Sequence, residues 1–263
     1  MGATKIQWCD RVWNPVTGCT PISEGCEHCY AKRMSKRLAG RYGYPAAPHE
    51  FDVTLHEDKL DEPLKWKASQ RVFLCSMGDL FHPVVPVAYQ AQMLKTIALC
   101  PQHVFLFLTK RPEQMLMFER NCGGLNRPNI WLGVSAETQA CADERIPILL
   151  QIPAAKRFVS VEPMLGQVNL MPYLWNEHVW GNCSGIPIVS HDHLLDWVIA
   201  GGETGPGARP MHPNWLRSLR DQCQNANVPF FFKQWGGKGP ADRILDGRRW
   251  LDAPHMVEPA AWV

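Results

Sequence analysis

Cys19, Cys26 and Cys29 stand on one stretch, Gly18 to Tyr30 (GCTPISEGCEHCY), in C-x6-C-x2-C spacing. Thiolates are soft donors, and three on one loop suit a soft metal or an iron–sulfur cluster. A structural zinc site normally closes with four ligands, so a three-ligand site leaves an open position where chemistry can occur. The alternative is a zinc knuckle completed by a distant residue such as Cys9 or His28. Against it, the chain has no second C-x2-C pair.

The other residues able to do chemistry follow apolar runs. Gly78 would allow close approach of a ligand and Asp79 could accept from an ammonium, with His82 nearby; the same residues also suit a turn with a helix N-cap. Ser135, Glu137 and Glu162 could accept from hydroxyls or amines, although Glu137 also fits a helix N-terminal acid. Gly201 and Gly202 would let backbone approach a flat ligand or make a tight turn, and Glu203 follows them. Lys110, Arg111, Lys233 and Gln234 could meet carboxylate or phosphate, or form a solvated rim. Lys32, Arg33, Lys36 and Arg37 share one face of a helix just after the cysteines. Such a stripe can track phosphates or simply face water. His191 and His193 are a weak metal pair.

The elements that must position these groups alternate. Strands are expected at Arg11–Val16, Arg71–Cys75, His103–Leu108, Asn129–Val134, Arg157–Val161, Asp196–Ala200 and Val228–Phe232. Helices are expected at Tyr30–Ala39, Val87–Leu99, Glu113–Glu119, Ala140–Leu150 and Asn214–Asn225. Nearly continuous apolar runs such as Val104–Leu108 mark parallel strands buried on both faces. Polar residues at the end of almost every run place functional groups around one mouth, as in a TIM-like barrel. Seven strands are legible and an eighth is not. The expected fold is α/β, a partial, open TIM-like barrel of parallel strands with outer helices, over residues 1–235. Segments 41–66 and 167–193 interrupt it as insertions, the first with an edge strand near Phe51–Leu55 and the second as a lid. Residues 236–263 form an irregular extension with a short hairpin around Asp246 and Gly247.

Composition sets outer limits. The 263 residues are 46% hydrophobic, as in a globular protein. A net charge of +2 is too small to argue for nucleic acid by itself. No apolar run approaches the ~20 residues that span a bilayer, and the first residues lack a signal-peptide core. The expected location is therefore cytoplasmic, where thiols stay reduced. Cys75, Cys100, Cys141 and Cys223 read as small buried hydrophobes.

With its cysteine loop after the first strand, the chain resembles the radical S-adenosylmethionine (SAM) superfamily. The usual spacing there is C-x3-C-x2-C, and this chain has six residues in the first gap. Over Ile6 to Trp235 it is similar to a bacteriophage-associated three-cysteine family of unknown function. The shared motifs are Trp13–Cys19 (WNPVTGC), Ser76–His82 (SMGDLFH), Leu108–Pro112 (LTKRP), Trp131–Ser135 (WLGVS), Ser160–Pro163 (SVEP), Gly201–Glu203 (GGE) and Phe231–Trp235 (FFKQW). The resemblance implies a 4Fe-4S cluster on Cys19, Cys26 and Cys29, whose remaining iron binds S-adenosyl-L-methionine. Reductive cleavage would give methionine and a 5′-deoxyadenosyl radical that abstracts hydrogen from substrate. Gly78, Asp79, Ser135, Glu137, Glu162, Gly201, Gly202 and Glu203 then become the expected SAM pocket. A flavodoxin- or ferredoxin-like donor would supply the electron. The phage kinship and the basic stripe together point to DNA or nucleotide modification or repair. Lys110, Arg111 and Lys233 would join Lys32, Arg33, Lys36 and Arg37 on that substrate. The competing function is a non-catalytic, zinc-stabilised nucleic-acid-binding protein.

Overall fold

Seven parallel strands, hydrogen-bonded in chain order, form one curved sheet in the computed structural model, which describes residues 4, 6–181, 187–237 and 243–256. They are β1 (Arg11–Trp13), β2 (Arg71–Leu74), β3 (Val104–Thr109), β4 (Ile130–Ser135), β5 (Lys156–Val161), β6 (Trp197–Gly201) and β7 (Phe230–Gln234). Helices α1 (Tyr30–Leu38), α2 (Val87–Ala98), α3 (Pro112–Cys122), α4 (Gln139–Leu149) and α5 (Pro213–Asn225) form the crossovers. The result is an open half-barrel, as expected from the strand–helix alternation. Sequence boundaries differ from the observed ones by a few residues at most.

Burial on both faces explains the unbroken apolar runs. Along β3, Phe105 and Phe107 face the helices with Val72, Leu132 and Val159, whereas Val104 and Leu106 face the concave side. There Phe73, Trp131, Phe158, Trp197, Ile199 and Phe231 fill the trough, and Trp8 and Cys9 from the N-terminal segment plug it. The missing side chain of Gly133 makes the room that the Phe158 ring occupies. At about 25 cal/mol per Å² of apolar surface, burying these rings is a dominant stabilising contribution.

Both insertions have structure. In the first, Thr54–Leu55 pairs antiparallel with Val16–Thr17, just before the cysteines. In the second, a helical turn at Met171–Leu174 leads into an antiparallel hairpin of Trp175–Gly181 with Pro187–His193. Leu194 N donates to Leu174 O, and Asp196 N donates to Arg157 O at the start of β5. The hairpin is therefore rooted at the end of the sheet opposite the strand C-termini, which corrects its expected place as a lid over the mouth. Of the turn expected at Trp180–Gly185, residues 182–185 lie outside the described residues. So do the side chains of His191 and His193.

The C-terminal segment is more ordered than expected. Ile244–Leu245 and Arg248–Arg249 form the hairpin around Asp246 and Gly247. Beyond it, Phe232 N donates to Trp250 O at 2.8 Å and Asp252 N to Phe230 O at 3.2 Å. These bonds cover the edge of β7, which would otherwise offer unpaired groups to another chain. Among the described residues, no helix is long and apolar enough to cross a membrane.

Candidate functional site

The cysteine loop leaves β1 through Gly18, whose φ of +82° suits glycine. Gly18 N donates to Met77 O at 2.9 Å, and Gly18 forms a parallel bridge with Gly78. A Cβ on Gly78 would lie 2.9 Å from Gly18 O, and one on Gly18 would overlap the Asp52 carbonyl. Cys19 N donates to Phe51 O from the first insertion. Both glycines therefore serve backbone meeting backbone. Gly78, which also lines the first cavity, is needed for the loop to join the end of β2.

Glu137, just beyond β4, is 0% exposed at its side chain and holds the middle of the loop. It accepts from Ser23 Oγ at 2.7 Å and Arg145 Nη1 at 2.7 Å, and pairs with Lys110 beyond β3. Gly25 sits directly over the carboxylate, where a Cβ would overlap it. Burial opposes ionisation most strongly, yet Lys110 and Arg145 prevail and hold the carboxyl at about 2. With both oxygens engaged, Glu137 positions the loop.

Other strand ends complete the clamp. Arg111 Nη2 donates to Thr20 O and Oγ1 at 3.0 and 2.9 Å, and His82 Nε2 lies 2.9 Å from the same hydroxyl. Asp79 accepts from Thr109 Oγ1, Phe81 N and Lys110 N, tying the end of β2 to that of β3. Its pKa is raised by burial, against the opposing pull of those donors. Beyond β6, Glu203 takes Nε and Nη2 of Arg209 at 2.9 and 2.6 Å. Arg209 in turn reaches Glu24 O and Glu27. Burial would raise Glu203, but the Arg209 contacts hold it below the usual carboxylate range.

Two cavities open at this mouth. One, of about 220 Å³, is lined by Cys19, Cys26 and Cys29 with Cys75, Asp79 and Thr109. The other, of about 210 Å³, is lined by His28, Ser160, Glu162, Gly202, Glu203 and Gln234. Gly25, Cys29, Tyr30, Lys110 and Ser135 line both. Glu162 pairs with Lys233 at 2.9 Å, and Gly201 leaves room for that carboxylate. Gly202 permits close contact with the backbone of Trp235.

Residues 3–254 match the family described as "Protein of unknown function (DUF5131)". The chain belongs to that family. No curated protein and no solved structure matches it.

In this DUF5131 chain the three loop thiols are half-buried and free. Burial, reinforced by Asp79, pushes Cys19 up to about 11. Burial acts the same way on Cys26, but Lys110, with Nζ 3.6 Å from the sulfur, outweighs it with the help of hydrogen bonds from Ile22 and Ser23, and lowers the thiol. Cys29 is the N-cap residue of α1, with no side-chain capping bond. Among the described residues, no group of three or more His, Cys, Asp and Glu side chains is arranged to hold a single metal ion.

The structure thus gathers Cys19, Cys26, Cys29, Gly78, Asp79, Ser135, Glu137, Glu162, Gly202 and Glu203 at one mouth. It also gives several of the expected residues protein partners or places of their own. Lys110, Arg111 and Lys233, expected at a nucleic acid, are engaged with Glu137, Thr20 and Glu162. Cys9, considered as a fourth zinc ligand, lies in the trough core, and His28 lines the second cavity rather than the first. Sequence reasoning missed Thr20, Ser23, Arg145 and Arg209. Only Arg145 left a signal, eight residues and about two helical turns from Glu137.

Proposed function

We propose that this protein is a radical SAM enzyme, with a 4Fe-4S cluster on Cys19, Cys26 and Cys29 and SAM extending into the second cavity. The observation that carries the reading is the loop itself. Three thiols line one cavity at the C-terminal mouth of a parallel half-barrel, on a loop clamped from the ends of β2, β3, β4 and β6. The donor set fits an iron–sulfur group, being all sulfur. The cavity that the three thiols line holds about 220 Å³. When bound, the cluster would deliver one electron to the sulfonium of SAM, breaking a carbon–sulfur bond to give methionine and a 5′-deoxyadenosyl radical. A flavodoxin- or ferredoxin-like donor would supply that electron.

The protein's own groups have definite tasks in this reading. Lys110 places positive charge beside Cys26 and, through Glu137, fixes the loop. Phe73 and Leu108 make part of the wall shared by the two cavities apolar, with Trp8 beside them in the second. Ser160, Glu162 and Gln234 offer acceptors and donors to a polar ligand in the second cavity.

One observation favours the zinc-protein reading: Cys75 is a fourth thiol on the wall of the first cavity. It is buried, with its pKa raised to about 12, mainly by desolvation. Anaerobic purification and reconstitution separate the two. The radical SAM reading expects about four irons and four sulfides per chain, 5′-deoxyadenosine from SAM plus reductant, and unchanged iron in Cys75→Ala. A colourless protein with one tightly bound zinc that Cys75→Ala releases would replace it.

A further inference from the structure

A third cavity, of about 350 Å³, adjoins this mouth and is lined by Tyr30, Arg33, Met34, Lys36, Arg37, Gly205 and Pro206. We infer that it holds the backbone of a single-stranded nucleic acid, with one base stacked on Tyr30 at the entrance to the second cavity. The inference rests on the radical SAM reading only for what happens to that base.

Three observations carry it. First, Tyr30 is 53% exposed and lines all three cavities, so a ligand in the groove reaches the cysteine mouth past one aromatic ring. Second, the cations are uncommitted. Among the described residues no acidic side chain pairs with Lys32, Arg33, Lys36 or Arg37, and α1 contains no acid. Third, Arg33 lies against the backbone of Gly205 on the cavity wall. Its guanidinium lies where a Cβ of Gly205 would be, and its buried Nη1 has no hydrogen-bond partner. A guanidinium on the cavity wall offers a planar fork of donors that matches phosphate oxygens.

The shape argues for a strand over an acidic protein partner. A groove lined by three cations, by Met34 and Pro206 and by an aromatic ring shared with the cysteine mouth suits alternating phosphates and bases. A base on a single strand is already unpaired, and one in a duplex would first have to be flipped out. Lys110, Arg111 and Lys233 are not needed, and the small net charge is no obstacle because the cations are local.

The test is fluorescence anisotropy of the full chain with labelled DNA and RNA oligonucleotides of about a dozen residues, without SAM. Binding at 50 mM salt should weaken with a log–log salt slope of about −2, from three phosphate contacts at ~0.7 each. Lys36→Glu/Arg37→Glu should lose at least about tenfold in affinity and most of that slope. Tyr30→Ala should lose roughly tenfold, and Tyr30→Phe should recover it. Lys65→Glu/Lys67→Glu, exposed elsewhere, should change little. A preference between DNA and RNA would identify the sugar, and either supports the inference. Absence of binding to both, survival in Lys36→Glu/Arg37→Glu, an equal loss in Lys65→Glu/Lys67→Glu, or salt-sensitive binding of an acidic flavodoxin in place of oligonucleotide would each overturn it. Iron content is measured on every preparation. A protein that carries its cluster and ignores oligonucleotides loses this inference alone, and one that binds them without iron loses only the radical reading.

Discussion

Cys26→Ala, purified and reconstituted without oxygen, is expected to lose essentially all its iron–sulfur absorbance and all SAM cleavage. Cys19→Ala and Cys29→Ala should behave alike. Each removes one of the three thiols on the loop and leaves two, and Cys75, the other thiol on that wall, is buried with its pKa raised to about 12. The loss should not come from unfolding. Cys26 is only half-buried, and surface-type substitutions usually stay within about 0.5 kcal/mol. Circular dichroism and thermal melting of the metal-free proteins would check this. Cys100→Ala is the control, because Cys100 is buried beside α2 and lines neither cavity. Full iron retention by Cys26→Ala would end the assignment of these ligands.

The fold was legible because its signals are local. A strand such as β3, apolar from Val104 to Leu108 and ending in Thr109-Lys110-Arg111, announces both its burial and the end that faces the mouth. The hairpin of the second insertion was not legible. The pairing of Trp175–Gly181 with Pro187–His193 replaces a crossover helix with an excursion from the opposite end of the sheet, and alternation gives no warning of it. The C-terminal pairing with β7 was hidden for a related reason, since Trp250 to Asp252 bond to a strand about twenty residues earlier.

The site divides along the same line. Residue types and positions predicted which groups gather at the mouth, but not what each one touches. Asp79, Glu137 and Glu203 look alike in sequence, as acids following strands. Folded, each has its oxygens filled by a neighbour: Thr109 for Asp79, Lys110 and Arg145 for Glu137, and Arg209 for Glu203. The bonding capacity of a carboxylate is finite, so an acid that secures a loop is poorly placed to grip a ligand as well. In the second cavity Glu162 is the acid with the simplest commitments, one lysine and one weak hydroxyl contact at 3.3 Å. That makes it the better candidate for contact with a bound molecule than Asp79, Glu137 or Glu203.

Glu137→Gln should be the most destabilising charge-neutralising change at the site. It leaves the shape almost intact but leaves Arg145 and Lys110 facing a neutral amide, with the Arg145 side chain only 4% exposed. Removing one partner of a buried pair costs about 3–5 kcal/mol. Lys110 can turn toward water, so the lower end of that range is expected. Linkage gives an independent figure. The carboxyl falls from an ordinary 4.5 to about 2 on folding, which corresponds to ~3 kcal/mol at 1.36 kcal/mol per unit. A depressed folded pKa stabilises above the unfolded value, and the contribution disappears as pH falls from 4.5 toward 2. The gap between native chain and Glu137→Gln in urea midpoints should therefore be full at pH 7 and much smaller at pH 3. A gap that stays constant across that range would show that the charge of Glu137 is not what stabilises the fold. The same substitution should loosen Ser23 and Gly25, so reconstituted iron should fall while every cysteine remains. Normal iron content in a Glu137→Gln protein would show that the loop holds its three thiols in place without this carboxylate.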